Sequence, residues 1–293
     1  MRYIHFIVNP VSGRGEGKIT KSFLQHYFSS VDYKIEVEFS QFKKHAIALA
    51  QAAVLNKPDI IVACGGDGTI HEVASVLVNT DIPLGIIPIG SGNGLASNLK
   101  ISQNIDTAIK IIQDGKSSLI DVGIAGEKFF FSNMGMGIDA MIIKKYEEAG
   151  KRSLITYVKS SLSSSFEYKP ALCHIYFNGK TVKAEPFMLF ISNSNEMGYK
   201  MSLTPKASLQ DGLLDLMVIS KVNFFEKLYF GLLVALRRPN LFPKYKHFLI
   251  KDVAIKYRKK TVVEMQLDGE YYTIESNELS VSVLPGALNV IVE

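Results

Sequence analysis

Residues 59–99 read DIIVACGGDGTIHEVASVLVNTDIPLGIIPIGSGNGLASNL, and this stretch restricts the fold more than any other. The apolar run 59–64 ends in Gly65-Gly66-Asp67-Gly68-Thr69, and the run 84–89 ends in Gly90-Ser91-Gly92-Asn93-Gly94. Short apolar runs punctuated by glycine and followed by helical periodicity read as strand, loop and helix, here twice over. Glycine lets the backbone approach a bulky anion, and the free N–H groups at the start of the next helix favour negative charge. Two such loops in succession point to a phosphate site built at neighbouring strand ends.

The flanking sequence extends the pattern. A strand is expected over 3–8, ending in Asn9-Pro10-Val11-Ser12-Gly13, with a helix over 18–29. That loop is not a Walker A motif, because Gly13 lies only four residues before Gly17 and Ile19 stands where a magnesium-binding hydroxyl is required. An alternating strand over 33–39 closes at Ser40, an amphipathic helix follows over 43–56, and another over 105–113 ends at Gly115. Strands alternating with helices imply a parallel, Rossmann-like sheet with right-handed crossovers, whose ligands gather at the carboxyl ends of the strands. All three glycine loops fall there.

Past about residue 121 the texture changes. Strands are expected over 117–123, 128–132, 171–177, 187–192, 214–220, 254–257, 262–267 and 279–284, several joined by hairpin turns such as Asn178-Gly179 and Asp268-Gly269. Helices interrupt near 140–149, 154–165 and 224–237. The expected organisation is an α/β nucleotide-binding domain over 1–121 and a mainly antiparallel β-sandwich or flattened barrel over 122–293.

With 293 residues, 47% hydrophobic and 21% charged, the chain is neither disordered nor fibrous. The net charge of +5 is mild, but 221–260 holds 11 Lys and Arg against 2 Asp and Glu. Such asymmetry fits either an anionic membrane surface or a solvated basic face, and no nucleic-acid-binding signature accompanies it. Cys64 and Cys173 each sit in an apolar run, as buried free thiols in a reducing cytoplasm do. The N-terminal MRYIHFIVNP is too short and strand-like for a signal peptide, and 224–236 falls short of the roughly 20 residues of a membrane span. A cytoplasmic protein, peripheral at most to a membrane, is expected. Residues 224–236 read equally as a buried helix or as one lying at a bilayer surface.

Asn9-Pro10-x-Ser12-Gly13, Gly65-Gly66-Asp67-Gly68-Thr69, Pro88-x-Gly90-Ser91-x-Asn93, Asp211-Gly212-x-Leu214-Asp215 and Asp268-Gly269-Glu270 occur in order. Together they resemble the diacylglycerol kinase catalytic-domain family, which includes bacterial lipid kinases and sphingosine kinases. The resemblance covers essentially the whole chain. It implies an ATP- and Mg2+-dependent kinase acting on a hydroxyl of a diacylglycerol-like or sphingoid-base lipid. By the same resemblance, Asn9, Pro10, Ser12, Gly13, Ser40, Gly65, Gly66, Asp67, Gly68, Thr69, Ile70, His71, Ser91 and Asn93 would contact nucleotide. Asp211, with the carbonyls of Ser208 and Leu213, would hold magnesium, and Asp215 would stand beside it. Glu270 would be the catalytic base, with Asp67 as competitor.

Each motif also has a plain structural reading: Asp67 capping a helix near Thr69, and Asp211-Gly212 and Asp268-Gly269 as ordinary turns. Gly94 replaces an Asp that many bacterial relatives carry, and Gly90-Ser91-x-Asn93 is closer to the sphingosine and ceramide kinase form. An NAD kinase and a non-catalytic nucleotide-binding module at a membrane surface are the alternatives. The lipid acceptor stays open, as does oligomeric state, a homodimer included.

Overall fold

The computed structural model describes residues 1–13, 19–90, 92–150, 153–196 and 201–293. They divide into two compact units: Met1–Ile120 with Gly286–Glu293, and Asp121–Pro285. The last eight residues pack with the first unit.

In the first unit, β1 (Arg2–Val8), β2 (Tyr33–Phe39), β3 (Ile60–Gly65) and β4 (Leu84–Pro88) form a parallel sheet in the order β4-β3-β1-β2. β3 and β4 are buried along their whole length, which is why they read as continuous apolar runs. At the edge, β2 is only partly buried and keeps its alternation. The order reverses at β1, so the loops after β1 and β3 leave neighbouring strand ends on either side of a topological switch point.

Helices α2 (His45–Leu55) and α3 (Asp67–Leu77) connect these strands, and short α4 (Gly94–Asn98) and α5 (Ile105–Asp114) follow β4. The Asn104 side chain caps α5 by accepting from Thr107 N, and Gly115 ends it at φ 66°. The helix expected over 18–29 is one short piece, α1 (Lys21–Gln25), capped by Thr20. Beyond it the chain closes in tighter turns, with His26 N donating to Phe23 O (3.2 Å) and Tyr27 N to Leu24 O (3.0 Å). Residues 14–18 lie outside the described residues.

The second unit is largely antiparallel. β7 (Asn133–Gly137), β10 (Pro186–Ser192), β11 (Leu214–Ser220), β12 (Lys246–Ile250), β13 (Asp252–Leu267) and β14 (Glu270–Ile291) follow the order β12-β11-β10-β7-β13-β14. A hairpin of β8 (Cys173–Phe177) and β9 (Lys180–Ala184) turns at Asn178-Gly179, both at positive φ as a type I′ turn requires. Also present are β5 (Ser117–Ala125) and β6 (Lys128–Phe130).

β13 changes partner along its length, pairing β8 through Ala254–Tyr257 and β7 through Met265–Leu267. Its register against β14 shifts between Lys256 and Thr261, the irregularity by which a strand bends from one sheet layer to the next. The two faces of β10 and β11 enter different cores. Leu189, Ile191, Leu214 and Leu216 join an inner β cluster, whereas Phe190, Met217 and Ile219 meet α6 (Ile138–Glu148) and α8 (Phe224–Ala235). Helix α7 (Leu154–Glu167) packs on α6.

Candidate active site

In the first unit the three glycine loops interlock. Asn9 N donates to Cys64 O (2.9 Å), its Oδ1 accepts from Val11 N (3.2 Å), and its Nδ2 donates to Thr69 Oγ1 (3.1 Å). Ser12 N closes the turn on Asn9 O (3.3 Å), and Pro10 lies within it. Gly13 sits at φ +65°, where a Cβ would lie 1.6 Å from Ile89 O. A Cβ on Gly90 would fall 2.4 Å from Gly66 Cα, so these two backbones touch in a way that no side chain permits. Ser40 N donates to Val8 O (2.9 Å), bringing the end of β2 to the same strand end.

The helix here, α3, starts at Asp67 itself rather than near Thr69. Its N-cap Gly66 provides no side chain, and the Asp67 carboxylate reaches across to the other loop. Oδ2 accepts from Asn93 N and Oδ1 from Gly94 N, each at 2.7 Å. Asn93, 1% exposed and in the left-handed region at φ 53°, braces that loop with Nδ2 donating to Gly90 O (2.7 Å) and Oδ1 accepting from Gly90 N (3.1 Å). Asp67 and Asn93 thus shape the loops. Gly68, Thr69, Ile70 and His71 occupy the first turns of α3, with Ile70 N bonded to Gly66 O (3.0 Å). The N–H groups at the start of α3, lacking a side-chain cap, form an anion-favouring end beside glycine backbone. Ser91 lies outside the described residues. Glu72 uses both oxygens on the start of α2, accepting from Lys44 N (2.9 Å) and Ala46 N (3.1 Å).

In the second unit, Asp268 and Gly269 form the left-handed turn between β13 and β14, at φ 49° and 83°. The Asp268 carboxylate accepts three backbone N–H groups, from Phe131 (2.8 Å), Ser132 (2.8 Å) and Asn133 (3.0 Å). Gln266 Oε1 accepts from Gly269 N (2.8 Å), and its Nε2 donates to Asn133 Oδ1 (2.8 Å) and Asp139 Oδ2 (2.9 Å). Glu270, next in the chain, accepts from Tyr272 OH (3.0 Å). Burial first, and then the Glu270 carboxylate, drive the Tyr272 phenol well above its ordinary range. Asp139 is 1% exposed, and burial pushes its carboxyl up to about 6 against the opposing Gln266 bond.

Asp139 lines an apolar cavity of about 450 Å³ bounded by α6, α7, α8 and β10, with Ile142, Tyr157, Leu162, Phe187 and Gly231 among its walls. That volume falls within the roughly 300–1,000 Å³ of small-molecule sites.

At the loop resembling a magnesium holder, Asp211 Oδ1 accepts from Leu213 N (3.0 Å) and Ser208 Oγ from Gln210 N (3.3 Å). The Asp211 carboxyl is raised by burial first, then by the charges of Asp215 and Asp121. Asp121 accepts from Gly212 N (2.7 Å), and buried Asp215 lies 2.6 Å from His247 Nε2. Oxygen donors of the kind Asp211 and backbone carbonyls offer are those that hard divalent cations take. Among the described residues, no group of three or more His, Cys, Asp or Glu side chains forms a metal cluster. Any ion here would rely on Asp211 and backbone carbonyls.

Comparison with known proteins decides the family. Residues 3–125 match the model for the diacylglycerol kinase catalytic domain, and residues 132–292 match the YegS C-terminal NAD kinase beta sandwich-like domain. The chain belongs to the diacylglycerol kinase catalytic-domain family. Its members are lipid kinases. A diacylglycerol kinase of Bacillus subtilis (strain 168) is 28% identical over 276 residues, covering 92% of this chain and 90% of its own. One of Staphylococcus aureus (strain bovine RF122 / ET3-1) is 27% identical over 271 residues, covering 90% and 85%. The crystal structure of a diacylglycerol kinase from Bacillus anthracis str. Sterne shares the fold, with a TM-score of 0.73 at 20% identity over 100% of this chain and 97% of that one.

Against that family the expected residues form a loop cluster in the first unit and a turn and acidic loop in the second. Asp121, Asn133, Asp139 and Gln266 escaped the sequence reading. They are isolated polar residues in apolar surroundings, and a polar residue inside an otherwise buried strand or helix is the one signal that marks them.

Proposed function

We propose that this family member is an ATP-dependent kinase for a long-chain lipid alcohol, diacylglycerol-like or sphingoid, with Glu270 as the base. One observation carries the lipid reading. Gln266 joins the backbone of the turn before Glu270 (2.8 Å) to Asp139 (2.9 Å), the carboxyl on the wall of the apolar cavity. The proton acceptor and a chain-sized apolar pocket therefore share one hydrogen-bonded frame.

In the reaction the acceptor hydroxyl oxygen forms a bond to the γ-phosphorus as the bond to the β-bridging oxygen breaks, and the hydroxyl proton passes to Glu270. The loops at 9–13, 65–69 and 90–94, tied by Asp67, bind phosphate through backbone N–H groups. Magnesium would neutralise phosphate charge, and the oxygens of Asp211, Ser208 and Leu213 are those suited to hold such an ion. Two buried free thiols, Cys64 and Cys173, support a reducing, cytoplasmic setting. Among the described residues no helix is long and apolar enough to cross a membrane.

The test is phosphate transfer from radiolabelled ATP to a panel of diacylglycerol, sphingoid base and NAD, with Glu270→Gln as control. A labelled lipid lost in the control is expected. Label on NAD alone would overturn the proposal. Gly231→Phe sharpens it, because a Cβ there meets open space and the ring fills the cavity. KM for long-chain lipid should rise while ATP affinity holds.

A further inference from the structure

Helices α7 and α8 turn apolar stripes outward. On α7, Ile155, Leu162 and Phe166 fall on one helical face, Phe166 being 70% exposed. On α8, Phe225, Leu232 and Leu236 form a second stripe, Phe225 being 78% exposed. Phe230 and Leu233 of the same helix enter the core. The Phe166 and Phe224 rings, 5.7 Å apart, join the two helices. Contiguous apolar surface of this kind marks an interaction site.

We propose that the α7–α8 face docks on an anionic lipid bilayer and delivers the acyl chain of the substrate to the cavity, a deepening of the lipid-kinase reading. Two features select a bilayer over a protein partner. Val158, Leu162, Phe224 and Leu228 are exposed on this face and also line the cavity, so apolar surface runs unbroken from the outside to its interior. A hydrocarbon chain leaving a membrane then meets no water on its way in. Cations also rim the face. Lys159 lies in the α7 stripe, and exposed Arg237 and Arg238 follow α8 directly. Apolar side chains entering the acyl boundary beneath Lys and Arg held at headgroup level is the arrangement of an interfacial helix.

The experiment is sedimentation of the full chain with vesicles of phosphatidylcholine alone or mixed with phosphatidylglycerol, without ATP. The Phe225→Glu/Leu232→Glu double variant provides the comparison. Both positions are exposed and outside the cavity wall, and an unchanged melting temperature verifies the fold. The wild type should bind mixed vesicles at least roughly tenfold more tightly than neutral ones, and the double variant should lose roughly tenfold or more. Arg237→Gln/Arg238→Gln should weaken only the binding to mixed vesicles. No wild-type binding, or undiminished binding by the double variant, overturns the proposal. A dimer by light scattering that Phe225→Glu dissolves, without vesicle binding, assigns the face to a second copy and also overturns it. Vesicle binding needs no turnover, so intact binding without lipid phosphorylation would refute the kinase reading alone.

Discussion

Asp67→Asn tests whether the aspartate of the first glycine loop acts through architecture. In the wild type each carboxylate oxygen accepts one backbone N–H at 2.7 Å, from Asn93 and Gly94. Hydrogen bonds to a charged group contribute about 1.5–3 kcal/mol each, and Asp67 is half-buried, so the lower part of that range applies. The amide keeps one bond at neutral strength and sets an NH2 group against the other N–H. A loss of about 2 kcal/mol in holding the loop of Asn93 follows. If nucleotide binding requires that loop in place, the same energy appears as roughly thirtyfold weaker ATP affinity. Fluorescent-nucleotide titration and urea unfolding of the two proteins side by side measure both quantities. An Asp67→Asn protein with the wild-type urea midpoint and nucleotide affinity, but little turnover, would refute the architectural role and assign Asp67 to the chemistry alone.

Gly90→Ala should abolish nucleotide binding in a folded protein, because its Cβ would meet Gly66 Cα at 2.4 Å and Asn93 Oδ1 at 2.8 Å; calorimetric titration with ATP checks this. Asp139 has its carboxyl raised from 3.8 to about 6, so the folded state holds the proton more tightly than the unfolded one. Stability from this group is present below about pH 4 and is lost as pH rises through about 6, on the order of 3 kcal/mol in all. Asp139→Asn should therefore flatten the pH dependence of urea unfolding across that window and leave the protein more stable at pH 7. An unaltered profile would contradict a buried, raised Asp139. Asp268→Asn keeps an oxygen for Ser132 and Asn133 but turns an NH2 toward Phe131 N, costing about 1–3 kcal/mol. By loosening the turn that precedes Glu270, it should lower kcat more than it raises KM in steady-state kinetics.

The parallel half was legible in the sequence because its signals are local. β3 and β4 are apolar throughout, glycine follows each, and the strand ends meet as that pattern implies. β7 was not legible, since Asn-Met-Gly-Met-Gly has no β-branched residue and two glycines. Its Gly135 is there for packing, as a Cβ would fall 1.7 Å from Asp139 Oδ2. β12, Lys-His-Phe-Leu-Ile, was hidden among the charges around it. The strands expected at 254–257 and 262–267 are one strand, β13, because the irregularity between Lys256 and Thr261 interrupts its alternation without ending it. At the site, Asp67 and Glu270 stood out through glycine-flanked motifs. Gln266 and Asp139, separated by 127 positions, become partners only when β13 meets the start of α6.

Residues 286–293 give the molecule an order of assembly. Val290 pairs with Leu84 of β4, Ala287 O accepts from Asn79 N (2.7 Å), and Val292 N donates to Lys116 O (2.9 Å). A ribosome makes β4 early and its outer neighbour only after the whole second unit. Until then β4 has an open edge, the kind that recruits strands from other nascent chains. The nucleotide loops, among the first parts of the chain to be made, thus sit in a sheet that is among the last to be closed.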